Sequence, residues 1–293
     1  MKNLVFLLIC SLFVLGVQAE DKKKGYNILW VRPVKTGEVY FISQNLKVKY
    51  TNTSQLNDAE LKKTNIFRDL YFDSKVTVKE VGEKKVATDE WHEVIRFYEL
   101  KEGKKEELLP KGAIIKVKKG VKGKEILVDD KVPEKNLLIT LQQLIELNAG
   151  GPTYNEMMGV CTNVMPGGNW EILKSNIIDS YKAVKINVKP ENIKGKCSFE
   201  KVENHKLFFS GFFTIDPFEI STAKDRKLLS SKYNYNLYEI ALEDESKLPV
   251  KITKITKHEY VETEVEKSEI TFTTVIEKEL AIKYFETEKE MSE

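Results

Sequence analysis

Along most of the chain, apolar and polar residues alternate with a period of two. Leu46, Val48 and Tyr50 share one parity and Lys47 and Lys49 the other; Val76 and Val78 repeat the pattern against Lys75, Thr77 and Lys79. A strand sends successive side chains to opposite faces, so this alternation predicts sheet with one buried and one solvated side. Further strands are predicted over 28–31, 38–42, 92–100, 113–118 and 125–128. Turns such as Gly82-Glu83-Lys84, Glu102-Gly103-Lys104 and Gly120-Val121-Lys122-Gly123 separate them. Lys at the outward positions discourages edge-to-edge pairing.

The period then changes. Leu137, Leu138, Leu141, Leu144 and Ile145 follow helical spacing, with Gln142, Gln143 and Glu146 on the other face. This predicts a helix over 137–147, opened by Pro133 and closed by Gly150-Gly151. A second helix is predicted from Trp170, capped by Asn169 and carrying Leu173, Ile177, Tyr181 and Val184. Strands resume over 196–202, 207–215, 233–242, 250–260 and 270–285, although 276–284 also satisfies a helical spacing. The fold class expected is α+β: a large, curved antiparallel sheet with a helical insert packed on it. The segments are a leader at 1–19, a β-rich half at 20–132, the insert at 133–190, a second antiparallel half at 191–286 and a charged tail at 287–293.

Residues 1–19 read as a secretory signal peptide. Lys2 precedes an apolar run, Val17-Gln18-Ala19 forms a small-residue cleavage site before Glu20, and the following residues are abruptly polar. The run is shorter than the roughly 20 residues a spanning helix needs. Cys10 inside it raises lipoprotein processing as an alternative, but Leu7-Leu8-Ile9 before it is a poor match to a lipidation site. The expectation is an exported protein, periplasmic or extracellular, with no stable transmembrane segment after processing.

A hydrophobic fraction of 41% supports a proper core, and 31% charge supports a solvated surface. A net charge of +2 lacks the concentrated positive field that nucleic acid requires. Only Arg32, Arg68, Arg96 and Arg226 among the 47 basic residues are Arg, which is the side chain favoured for bidentate readout. No nucleic-acid partner is expected. Beyond the leader two cysteines remain, Cys161 and Cys197. In an oxidising compartment they predict one disulfide, closing a loop of roughly 36 residues worth about 3–4 kcal/mol. The alternatives are two buried free thiols or, with His205, a metal site without supporting spacing.

Catalytic motifs are absent. His92, His205 and His258 stand in no HExxH, no GxSxG elbow exists, and the Gly pairs match neither phosphate-binding pattern. No cofactor, metal or catalytic residue is therefore assigned. Imidazole and carboxylates gather only in Asp89-Glu90-Trp91-His92-Glu93. Glu90 and His92 share one face there, and the favoured reading is solvated polar positions flanking a packed Trp. Asp129-Asp130 and Glu243-Asp244-Glu245 read as solvated turns.

The aromatic strand 207–215 is more informative. Leu207, Phe209, Phe213 and Ile215 share one face, and Phe208 and Phe212 the other. A strand apolar on both sides is expected to be central and covered twice. In the alternative, Phe208 and Phe212 line a face for an apolar ligand. The segment Val164-Met165-Pro166-Gly167-Gly168-Asn169-Trp170-Glu171 resembles the Gly-x-x-Trp segment of exported, β-rich bacterial protein families without an assigned activity. Residues 242–250 resemble their late hairpin. That resemblance implies architecture and export only; the arrangement is also similar to periplasmic lipoprotein carriers. The leading reading is an exported, non-enzymatic protein binding an apolar ligand or an envelope partner. A structural or assembly protein of the envelope is second, and a hydrolase centred on Trp91-His92-Glu93 third.

Overall fold

A computed structural model describes residues 25–57, 59–120, 123–147, 151–182, 186–219, 224–242, 248–265 and 269–292. The leader, the Ala19–Glu20 cleavage site, Cys10, Gly150, Val184 and the turn at 243–245 lie outside them. The chain is mostly β, with 64% strand and 13% helix, so the α component is smaller than the α+β expectation.

Among the described residues, twelve strands form one antiparallel, unclosed sheet. Its members in chain order are β2 (Val39–Leu56), β3 (Ala59–Val81), β4 (Ala87–Lys101), β5 (Lys104–Leu109), β6 (Ile114–Gly120) and β7 (Gly123–Val128). After the insert come β9 (Asn169–Glu171), β10 (Ile193–Glu203), β11 (Lys206–Ile215), β12 (Arg226–Leu242), β13 (Pro249–Glu264) and β14 (Ile270–Phe285). The spatial order is β7-β6-β4-β3-β2-β14-β13-β12-β11-β10-β9, with β5 beside β4. The two β-rich segments meet where β14 pairs with β2, from Phe285↔Phe41 to Ile270↔Leu56. A separate ribbon joins β1 (Tyr26–Ile28) to β8 (Cys161–Val164).

Burial follows the predicted alternation. Along β2, Tyr40, Ile42, Gln44 and Leu46 are buried, the residues between them half-buried, and the flanking Val39 and Lys47 exposed. In β4, Glu90, His92 and Val94 point inward; irregular pairing beside Ser74 then shifts the phase, so that Phe97 and Glu99 continue the inner face. Residues 270–285 are a strand throughout, because each pairs with β2 and those over 271–283 pair with β13 as well.

The insert contributes α1 (Lys135–Leu144), α2 (Tyr154–Met158) and α3 (Lys174–Lys182). The first helix ends at Leu144, before the predicted Leu147. It buries Thr140, Leu141 and Leu144, and the Gln44 Nε2 donates to the Leu144 carbonyl at 3.2 Å. The helix predicted from Trp170 is corrected: residues 169–171 form β9 on the edge of β10, and α3 starts at Lys174. Trp170 is held there by its indole N–H on the Met158 carbonyl (2.8 Å) and by a tilted contact with Trp30. A last short helix, α4 (Glu288–Ser292), occupies the charged tail.

Cys161 and Cys197 are free thiols, so the disulfide expected from the sequence is not formed. Cys197 is buried and its Sγ donates to the Met158 carbonyl at 3.3 Å. Burial, reinforced by Cys161 and Glu171, pushes its thiol up to about 12. A protonated thiol with a carbonyl acceptor is a poor nucleophile for exchange.

Candidate functional site

A cavity of about 740 Å³ lies between the inner face of the sheet and the insert. It falls within the roughly 300–1,000 Å³ range of small-molecule sites. Strands from β4 to β11 line it, though five others separate them in the sheet, so the sheet wraps around the space. Its floor is largely apolar, with Ile42, Leu207, Phe209, Ile252 and Ile282.

The roof is held by specific bonds. Thr153 caps α2 in a reciprocal box with Glu156. The next residue but one, Asn155, clamps the chain after β1. Its Oδ1 accepts from the Trp30 and Val31 amides at 2.7 and 3.0 Å, and its Nδ2 donates to the Val31 carbonyl at 2.8 Å. Trp30 is buried, donates its indole N–H to the Gly159 carbonyl at 3.0 Å and meets the Phe209 ring edge-on at 4.9 Å.

Polar side chains interrupt the greasy floor. Tyr40 donates to Glu90 Oε1 at 3.1 Å; burial and the Glu90 charge push its hydroxyl well above the usual range. His92 shares a 3.1 Å hydrogen bond between Nδ1 and Ser74 Oγ, while its Nε2 lies 3.7 Å from Glu90 Oε2 and makes no hydrogen bond. On the opposite wall Lys254 pairs with Glu146 and bonds the Tyr154 hydroxyl at 3.0 Å. Burial disfavours the Lys254 ammonium, but Glu146 outweighs it and holds Lys254 charged above its ordinary range. Glu239 has no such compensation. Burial pushes its carboxyl well above the usual carboxylate range, and Lys254 offsets this only in part.

The structure reverses two expectations. Glu90 and His92 are buried and face the cavity, whereas Trp91, expected to be packed, is 36% exposed between the Lys79 and Lys116 ammonium groups. Phe208 and Phe212, expected to be covered in a central strand and in the alternative to line a ligand face, lie on the outer side of β11. Phe212 is 39% exposed and Phe208 lies under Lys201. The strand is covered once, and it is Leu207 and Phe209 of the other parity that meet the cavity.

His92 beside Glu90 meets the positional condition for a hydrolase. The hydroxyl it touches does not: Ser74 is fully buried and does not line the cavity. A nucleophile must reach substrate as well as its base, so Ser74 is not placed to act as one, and the His92 ring keeps an unpaired Nε2 beside Glu90. No group of three potential metal ligands occurs among the described residues.

Gln44, Glu239 and Lys254 were not singled out in the sequence, yet each carried a signal. Gln44 sits between Ile42 and Leu46, Glu239 continues the parity of Tyr233, Tyr235 and Leu237, and Lys254 follows Ile252 by two. A polar residue on an apolar parity marks a position that burial must accommodate.

The sequence matches no protein-family model and no curated protein. Among solved structures, lipovitellin, in a structure concerned with lipid–protein interactions, superposes with a TM-score of 0.37 at 10% identity. That match covers 86% of this chain but only 26% of lipovitellin, about a quarter of its length. The outer membrane protein OprG of Pseudomonas aeruginosa gives a TM-score of 0.21 at 7% identity, covering 88% of this chain and 100% of that one. Neither score establishes a shared fold. No helix among the described residues is long and apolar enough to cross a membrane.

Proposed function

We propose that this is an exported, non-enzymatic binding protein that takes up a small molecule apolar along most of its length. The observation that carries the reading is the cavity of about 740 Å³, floored by Ile252, Ile282 and Phe209 and roofed by the insert. An apolar molecule entering it leaves water for a preformed greasy surface, at roughly 25 cal/mol per Å² buried. Export rests on the leader at 1–19 and on the Gly-x-x-Trp resemblance, and it makes envelope lipids or extracellular amphiphiles the accessible ligands.

The reading is tested with the neutral fluorophore N-phenyl-1-naphthylamine. The protein is expected to bind one equivalent with a blue shift, and native mass spectrometry of protein from its natural host to retain a bound small molecule. Ile282→Trp, which intrudes on the floor, should weaken fluorophore binding while leaving the circular dichroism unchanged. Absence of binding by both methods overturns the reading.

A further inference from the structure

One row of inward side chains crosses the sheet in direct register: Phe209, Glu239, Ile252, Ile282, Gln44 and Phe72. All six are buried, and only Glu239 and Gln44 are polar. They flank the Ile252–Ile282 pair on the cavity floor. Glu239 Oε2 and Gln44 Oε1 are each buried without a hydrogen-bond partner. Both residues line the cavity, and buried acceptors left unpaired are costly, so the pair calls for a donor from outside the chain.

The charges on the wall narrow that donor. Each of its three cations has a partner: Arg32 with Glu38, Lys124 with the Gln142 and Ile145 carbonyls, and Lys254 with Glu146 and Tyr154. Arg32 Nε and His92 Nε2 are the guanidinium and ring nitrogens left without a hydrogen bond, each beside a carboxylate, Glu38 and Glu90. The raised Glu239 carboxyl is that of a buried acid short of a counter-ion. A ligand anion would meet Glu90, Glu239 and an amide oxygen, and the cations it could turn to already hold Glu38, Glu146 or backbone carbonyls; an ammonium would meet acceptors that lack donors. Three strand spacings separate the Glu239 and Gln44 backbones by about 14 Å, so a head group above the Ile pair is within reach of both long side chains.

Resting on the reading of the cavity as a ligand site, we infer that its occupant is a lipophilic amine. The alkyl or aromatic body lies against Phe209, Ile252 and Ile282, and the protonated nitrogen donates to Glu239 and Gln44.

The test compares three probes of one chain length, dodecylamine, dodecan-1-ol and dodecanoic acid, at pH 7 below their micelle concentrations. Each displaces N-phenyl-1-naphthylamine from the full-length protein, with native mass spectrometry in parallel. Dodecylamine is expected to bind at least about tenfold tighter than dodecanoate. Glu239→Gln and Gln44→Leu should each narrow that gap to about threefold or less while fluorophore binding persists. If Glu239→Gln fails to fold, Gln44→Leu decides alone. Dodecanoate matching or exceeding dodecylamine overturns the inference, as does a gap unchanged in the folded variants. If the fluorophore binds but no dodecyl probe displaces it, the amine inference fails and the cavity reading stands. If the fluorophore itself does not bind, the cavity reading fails and the inference with it.

Discussion

At the scale of single residues, close packing and burial give sharp expectations. Gly211 lies where β11 passes beneath the roof. A Cβ there would come within 3.0 Å of Trp30 Cη2, 3.1 Å of Cys197 Sγ and 3.2 Å of Met158 Sδ. These are three buried neighbours with little room to move, so Gly211→Ala should destabilise the protein by about 1–3 kcal/mol in urea melts. His258 offers a pH-dependent test. Burial, and then Lys278, lower its pKa from 6.5 to about 4, and its ring packs edge-on to Tyr233 at 4.3 Å. At neutral pH the imidazole is uncharged in both folded and unfolded chains, so it contributes no pH dependence. As the pH falls through about 6.5 the unfolded chain takes up a proton that the folded chain refuses until about pH 4. Stability is therefore lost across that interval. His258→Phe keeps the ring contact and removes the titration, so its Tm should fall less than that of the parent between pH 6.5 and 4. Parallel losses in both proteins would refute the assignment.

At the scale of elements, backbone pairing and side-chain anchors matter separately. The first half of β3 is exposed on both faces, so residues 59–69 carry little alternation to read. They are strand because β2 supplies a ladder from Leu56↔Ala59 onward, broken only by one irregularity at Leu61. The same holds for β5, exposed but paired with β4. The helix α1 depends on anchors instead. Arg68 grips Glu99 bidentately, at 2.8 and 2.9 Å, and donates to Thr140 Oγ1 on α1 at 3.0 Å. The hydrogen bond from Arg68, against the effect of burial, holds the Glu99 carboxyl below its usual range. Arg68→Met strands a buried carboxylate and cuts the link to α1. It should cost about 2 kcal/mol and speed hydrogen exchange across α1 well beyond that in the centre of β2. Unchanged exchange in α1 would show that apolar packing alone docks it.

At the scale of the whole molecule, a wide sheet bends until strands far apart in pairing order share one enclosed space. The bend sets Glu90 and His92 of β4 across the cavity from Glu239 of β12, which no local pattern relates. It also makes the insert a roof. Phe209 meets Trp30, Lys254 meets Glu146, and Gln44 meets the end of α1. A bulkier side chain at Ile282 should therefore weaken binding at the site without unfolding the sheet.

The amino-acid sequence alone determined that this chain builds antiparallel sheet, where nearly all its strands after the insert run, and which parity of β11 is Leu207-Phe209-Phe213-Ile215. Those properties follow from alternation, which is local and repeats every two residues. Only the tertiary structure decided which parity faces inward at Glu90-His92, that Trp170 joins an edge strand, and that Gln44 and Glu239 share a row. Each depends on a partner distant in the chain, and a period-two pattern names two faces without saying which one the rest of the molecule covers.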